Sequence, residues 1–426
     1  MARAPIDRRR FLTTTMAALS AAIASPGVRA QGVGPRIVVI GGGFGGAACA
    51  RALRKAAPHI AVTLVEANRT YTASPMSNAV IASLRDLSQQ QFGYDKLAHD
   101  GITVALSAAS AIDPHGRSVT LADGTTLAYD RLVLSPGIDF RWGAIAGYDE
   151  AAAATMPHAY KGGDQIALLR RQLESMEDGG LVAISAPVNP ARCPPAPYER
   201  ASLIAYYLKR TKPRSKIVIF DAKDTFAMHE LFEEAWKTLY PGLIEWRAVG
   251  NDGLVSSVEP KTRTLVTDFD RYKAAVANVI PPQKAGHVAD LAGVADRTGW
   301  CPVDPVTFES KLQPNIHVIG DAAIAGAMPR AASAAQVQGG ICANAIVALL
   351  AGKAPAAPTL TSSCFSLITP DYAISQRSTF RPANGQYEES PPGIVVSPRN
   401  AAPAVRSGEA KEADAWFAGI TAAVFG

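Results

Sequence analysis

Apolar positions in this chain gather into short β-branched runs separated by longer helical stretches. Arg36-Ile37-Val38-Val39-Ile40 predicts a strand covered on both faces. Gly41-Gly42-Gly43-Phe44-Gly45-Gly46 follows at once, and an Ala-rich helix is expected over about 45–57. Ala61-Val62-Thr63-Leu64-Val65 predicts a second strand, ending in Glu66, so a βαβ unit is complete. A meander comes next, with strands at 118–121 and 126–127 about the turn Asp123-Gly124. It leads to Tyr129-Asp130-Arg131-Leu132-Val133-Leu134-Ser135-Pro136-Gly137. A second α/β region starts near Ala144. It contains a helix over 163–177 and strands over 181–185 and 216–220, joined by a crossover helix over about 198–210. The chain returns to its first region near Ile280, through Ile316-His317-Val318-Ile319-Gly320-Asp321. Ala354-Pro355-Ala356-Ala357-Pro358 then opens a C-terminal piece. No internal repeat is evident.

A length of 426 residues suffices for two or three domains with full cores. The N-terminus changes the reading of the charge. Arg8-Arg9-Arg10-Phe11-Leu12 begins a moderately apolar stretch to about Ala24, and Val28-Arg29-Ala30 supplies a small-x-small-like cleavage site. These features predict a twin-arginine signal over residues 1–30 and a periplasmic protein. In that segment Arg3, Arg8, Arg9, Arg10 and Arg29 face one acid, Asp7. They account for most of the chain's net charge of +5, leaving about +1 for the rest. The basic balance therefore implies no nucleic-acid partner. No later apolar run approaches the ~20 residues that cross a bilayer, so no membrane span is expected. The cysteines are Cys49, Cys193, Cys301, Cys342 and Cys364. Their odd number leaves at least one without an intramolecular partner, and counting selects no pair.

Gly41-x-Gly43-x-x-Gly46 between a strand and a helix is a dinucleotide fingerprint. The helix N-terminus would cap a pyrophosphate, and Glu66 would accept bonds from a ribose diol. Leu134-Ser135-Pro136-Gly137 resembles the element that closes over FAD in glutathione-reductase-like proteins. Ile319-Gly320-Asp321-Ala322 resembles their second FAD motif, whose Asp bonds the ribityl chain. A helix starting near Ser333 would aim its positive end at the isoalloxazine. The expected fold is α/β, with two Rossmann-like domains of the glutathione-reductase type and a smaller C-terminal domain. The boundaries are 31–145 with 280–353 for the FAD-binding domain, 146–279 for the second Rossmann-like domain, and 354–426 for the last. No metal site is expected.

In a flavoprotein with two dinucleotide sites, the loop after 181–185 holds a glycine motif for nicotinamide. Here it reads Ala186-Pro187-Val188-Asn189-Pro190-Ala191, without glycine, and leads to Cys193 in a proline-rich setting. A thiol beside a flavin can exchange two electrons with it or attack a sulfur substrate. Cys49 and Cys342, in Ala-rich helical runs, read as buried and inert. Cys301 and Cys364 fall in predicted loops or short strands.

Arg192-Cys193-Pro194-Pro195-Ala196-Pro197-Tyr198-Glu199-Arg200-Ala201-Ser202 resembles the flavoprotein subunit of flavocytochrome c sulfide dehydrogenase. So do Ile280-Pro281-Pro282-Gln283-Lys284-Ala285-Gly286, Gly299-Trp300-Cys301-Pro302-Val303-Asp304, Thr307-Phe308-Glu309-Ser310 and the terminal Phe425-Gly426. The resemblance implies a redox disulfide beside the flavin, matched by Cys193 and Cys364, with Glu199 as acid/base. It implies periplasmic sulfide oxidation, with electrons passed to a c-type cytochrome subunit. Haem c is expected only on that partner, because this chain has no Cys-x-x-Cys-His. One departure stands out. The family commonly tethers FAD to a Cys ahead of a Ser-Asn pair, and the matching residue here is Ser74, so non-covalent FAD is expected. Trp416 and Phe417 are candidates for a docking or dimerisation surface, and a homodimer or heterodimer stays open. Rival readings are a sulfide:quinone or NADH:quinone reductase, a non-catalytic flavin-binding assembly partner, and an enzyme for another sulfur donor such as thiosulfate, a polysulfide or a thiol.

Overall fold

The computed structural model describes Met1 and residues 34–426. The expected twin-arginine segment, from Arg8 to Ala30, lies outside the described residues. In chain order the elements that build the frame are β1 (Arg36–Ile40), α1 (Phe44–Ala56), β2 (Ala61–Val65), α2 (Ser77–Ile81), β3 (Thr103–Ala105) and β4 (Arg131–Leu134). Then come β5 (Leu181–Ala186), α3 (Ala196–Thr211), β6 (Lys216–Asp221), β7 (Ile244–Arg247), β8 (Val276–Val279) and β9 (Ile316–Val318). The chain finishes with α4 (Ala332–Leu350), β10 (Leu360–Thr369), β11 (Tyr372–Ala383), β12 (Gln386–Val396) and α5 (Pro403–Phe425).

Two parallel sheets dominate. The first runs β9-β4-β1-β2-β3, so the strand at 316–318 returns to lie beside β4. The second runs β7-β6-β5-β8. The third sheet, β10-β11-β12, is antiparallel. The expected α/β class with two Rossmann-like sheets is therefore what the chain forms. Parallel strands need helices on both faces, which is why β1 and β5 are almost wholly buried.

The helices α1 and α4 cross at close range. Gly339 lets them meet, because a Cβ there would stand 2.5 Å from the Gly45 carbonyl oxygen and 2.9 Å from the Cys49 nitrogen. Cys49 and Cys342 lie at this crossing, fully buried, with their thiols within hydrogen-bonding contact of each other. Burial pushes the Cys342 thiol well above its ordinary range, and the contact with Cys49 adds to this. Cys342 therefore stays protonated, and both residues are core cysteines, as expected. Over its 19 residues α4 is long and apolar enough to cross a membrane, which the sequence reading missed, yet half of it is buried inside the protein. The C-terminal helix α5 lies along β11 of the third sheet and ends against α1 and the short Tyr71–Phe92 ladder. Phe425 stacks on Tyr71 and Phe92, and Arg51 Nη1 donates to the Ala423 carbonyl at 2.9 Å.

Candidate active site

A cavity of about 650 Å³ lies between the first and third sheets, walled in by the turn and the start of α3 that follow β5. One end is the dinucleotide fingerprint. Gly41, Gly43, Glu66 and the first turn of α1 line it, and α1 has no side-chain cap. Its leading N–H groups are thus left for a ligand. Gly46 belongs to the turn itself, since a Cβ there would fall 1.9 Å from the Gly41 carbonyl oxygen. Glu66 accepts from the Gly42 N–H at 2.7 Å and from the Asn68 N–H at 3.0 Å, which fixes its carboxylate at the end of β2. Pro136, Gly137, Gly320 and Asp321 line the middle of the same cavity. The N-terminus of α4 reaches it too, starting one residue before the expected Ser333 and again uncapped. Two uncapped helix N-termini, one ribose acid and a second acid on one cavity fit a flavin dinucleotide.

The far end holds the sulfur chemistry. Cys193 comes from the turn before α3 and Cys364 from the middle of β10, a ten-residue strand where the sequence reading expected a loop or short strand. Both line the cavity as free thiols, and Cys364 is close enough to be the largest influence on the Cys193 thiol. That influence, then burial, raises the Cys193 thiol well above its ordinary range. Such a pair can close into a disulfide and reopen on attack by a thiolate. Cys193 has a left-handed backbone (φ +48°), and its N–H donates to the Arg330 carbonyl at 2.7 Å. Ser74 lines the cavity as well, so the residue in the tether position carries a hydroxyl and no sulfur.

Glu199 sits one α3 turn beyond Cys193, in the same buried wall. Its Oε2 accepts from the Asn78 amide at 2.7 Å and its Oε1 from the Leu367 N–H at 3.0 Å. Burial raises its carboxyl above the usual range, although those bonds and Arg200 pull the other way. Asn78 also accepts from Arg200 Nε at 3.0 Å, so one amide bridges the acid and the base. Arg200 donates further to Asn278 Oδ1 at 2.8 Å and to the carbonyls of His158 and Ala159 at 3.0 and 2.6 Å. Burial lowers it to about 10, so it remains a cation at neutral pH.

Sequence reasoning missed four participants: Arg192, Arg200, Tyr160 and Asn78. Arg192 pairs with Asp321 at 2.6 Å across the cavity and donates to the Tyr160 carbonyl at 3.0 Å. Burial works against its charge, but Asp321 more than offsets this and its pKa is raised. Tyr160 lines the cavity with its buried hydroxyl unpartnered among the described residues. Asn78 was visible only as half of a Ser-Asn pair. The signal for Arg192 and Arg200 was their place in the cysteine motif, where an unpaired buried arginine would be untenable.

The second Rossmann-like sheet has its own acid in the ribose position, Asp221 at the end of β6. It is fully buried and already taken up: it accepts from the Tyr198 hydroxyl, from Trp246 Nε1 at 2.9 Å and from Lys223 Nζ. Tyr198 stacks on Phe226 with ring centroids 3.5 Å apart, which closes the space over it. Trp416 and Phe417 are not a free surface. Phe417 is 4% exposed, and Trp416 lines the cavity and packs on Phe365.

Fold and site together define a flavoprotein disulfide oxidoreductase built on two Rossmann-like sheets. Residues 35–167 match the pyridine nucleotide-disulphide oxidoreductase family. Residues 166–281 match the central part of the sulfide dehydrogenase [flavocytochrome c] flavoprotein chain, and residues 356–425 its flavin-binding part. The chain belongs to the flavocytochrome c sulfide dehydrogenase flavoprotein family. It is 58% identical over 45 residues to the flavoprotein chain of sulfide dehydrogenase from Chlorobaculum thiosulfatiphilum, which is 11% of this chain and 94% of that sequence. It is 23% identical over 297 residues to the mitochondrial sulfide:quinone oxidoreductase of Mus musculus, covering 67% of this chain and 65% of that protein. The fold is that of the Aquifex aeolicus sulfide:quinone oxidoreductase, with TM-score 0.73, 17% identity and 92% of each chain covered. The family and the cavity make this an FAD-binding flavoprotein.

Proposed function

We propose that this protein oxidises sulfide in the periplasm through a Cys193–Cys364 disulfide and non-covalently bound FAD, and passes the electrons to a c-type cytochrome subunit. The observation that carries the reading is the meeting of these two thiols at the flavin end of the cavity. HS⁻ attacks one sulfur of the disulfide. The S–S bond breaks, a persulfide forms on the attacked cysteine, and the other leaves as a thiolate. Glu199 holds a proton beside the pair at a pH where an exposed carboxyl would have lost it. Each of its oxygens keeps a lone pair beyond the bond it accepts, so either can carry that proton. Arg200 and Asn78 hold the acid in place, and Arg192 keeps Asp321 and the Tyr160 loop fixed at the cavity wall. Bound FAD supplies the two-electron acceptor next to the cysteines.

The sequestered Asp221 and the glycine-free loop before Cys193 leave no ribose site for NADH. A second reading has a specific basis. The match to the mouse sulfide:quinone oxidoreductase is long, and it makes a quinone the alternative acceptor. The orientation of α5 favours the cytochrome, because its apolar residues Phe417, Ile420 and Val424 are turned into the protein and not toward a lipid surface. The test is sulfide oxidation by purified enzyme with cytochrome c or a short-chain quinone as acceptor. Cytochrome reduction that falls to background in Cys193→Ser supports the proposal. Turnover with quinone alone, or full activity in Cys193→Ser, overturns it.

A further inference from the structure

Behind the cysteine turn lies a second cavity, of about 470 Å³, that the sulfide chemistry does not use. Its lining includes Arg141, Arg330, Trp300 and Gln283, and none of its lining residues is acidic. Arg330 Cζ lies over Trp300, 4.0 Å from the ring centroid. Its Nε donates to the Asp321 carbonyl at 2.8 Å, and among the described residues its terminal amino groups have no hydrogen-bond or ion-pair partner. Arg141 is held by the carbonyls of Gln283 and Thr298. Gln283 is 3% exposed. Its Oε1 accepts from the Arg192 N–H at 2.8 Å, which fixes the amide's orientation. Its Nε2 is buried and unpartnered.

A buried amide donor without an acceptor costs about 1–3 kcal/mol. A half-buried guanidinium without a carboxylate adds to that cost. Both costs vanish when an acceptor-only group with several oxygens enters. Cation–aromatic stacking holds the guanidinium plane still, so its edge stays open for bidentate binding. We propose that this cavity is a binding site for a tetrahedral oxyanion of charge −2, held by Arg330, Gln283 Nε2 and Arg141. Among the described residues three bonds join the site to the redox centre, one of them the Arg330 Nε bond to the Asp321 carbonyl. The Arg330 carbonyl accepts from the Cys193 N–H, and Gln283 Oε1 accepts from the Arg192 N–H. An anion there stiffens the turn that carries Cys193 without entering the flavin cavity. The assignment is independent of the sulfide reading.

Isothermal titration of the FAD-loaded protein, whose pyrophosphate site is already filled, tests it with thiosulfate, sulfate and phosphate against chloride at constant ionic strength. The expected result is one site for the dianions and none for chloride. Tightest binding of thiosulfate would assign the source to sulfur chemistry, and equal binding of phosphate would assign a general oxyanion. Arg330→Gln should weaken binding at least tenfold. Gln283→Glu keeps the acceptor for Arg192 and removes the donor, so it should abolish binding while the flavin spectrum stays native. Absence of binding by all three dianions, or equal binding by wild type and both variants, would overturn the proposal.

Discussion

Glu199 is the residue whose chemistry depends most on its surroundings: burial raises its carboxyl while the Asn78 amide and the Leu367 N–H hold its two oxygens. Cys193, Cys364 and Glu199 stood out through a motif, and the structure puts the two thiols in contact and the acid in the adjoining wall. The partners that make the acid usable were not legible. Asn78 lies 121 positions from Glu199, and Leu367 lies 168 away. No local pattern encodes a polar contact between segments that distant. Glu199 also gives a pH test. Its carboxyl is raised in the folded protein, chiefly by burial. Above the ordinary carboxyl pKa the native state therefore binds more protons than the unfolded chain. This group's contribution to stability is present at low pH and is lost as pH rises through the raised value. Glu199→Gln should remove that dependence. In urea unfolding from pH 4 to pH 8, the variant should gain on wild type as pH rises. A constant difference would show an ordinary pKa. The same change should slow sulfide oxidation by ~10²-fold if Glu199 moves a proton in the reaction.

At the scale of elements, β1, β2 and the helices starting near 45 and 163 were legible because their hydrophobic period is regular. The observed bounds, Phe44–Ala56 and Gly163–Ser175, differ from expectation by a residue or two. Cys364 was expected in a loop or short strand, and the full ten-residue strand was not legible because Thr361, Ser362, Ser363 and Ser366 hide its alternation. Trp416 and Phe417 are packing residues and not a docking surface, because α5 lies along β11 and Phe417 meets Phe92. The crossing of α1 and α4 carries the sharpest test at this scale. Gly339→Ala pushes a methyl against the first turn of α1, the turn whose N–H groups face the pyrophosphate. Overpacking of this kind costs about 1–3 kcal/mol. The variant should show a lower denaturation midpoint together with weaker FAD retention on gel filtration. Unchanged flavin content would mean that the crossing does not set the position of the fingerprint turn.

For the whole molecule, the α/β class followed from one local fingerprint and two later flavin segments. The meeting of the first and third sheets and the start of α3 around the flavin cavity could not be read from any of them. The structure adds a reason for the missing glycine loop: Asp221, the acid a second dinucleotide would need, is built into a buried cluster of Tyr198, Trp246 and Lys223. Ser74 carries a further expectation. With no thioether possible there, acid denaturation should release all flavin into the supernatant, and yellow colour remaining on the precipitated chain would refute non-covalent binding. The most direct test of the central claim is anaerobic stopped-flow absorbance of the bound flavin. Sulfide should bleach the wild-type flavin within the observation time. It should fail to do so in Cys364→Ser, and NADH should leave the wild-type flavin oxidised. Full bleaching by sulfide in Cys364→Ser, or bleaching of the wild type by NADH, would contradict the account.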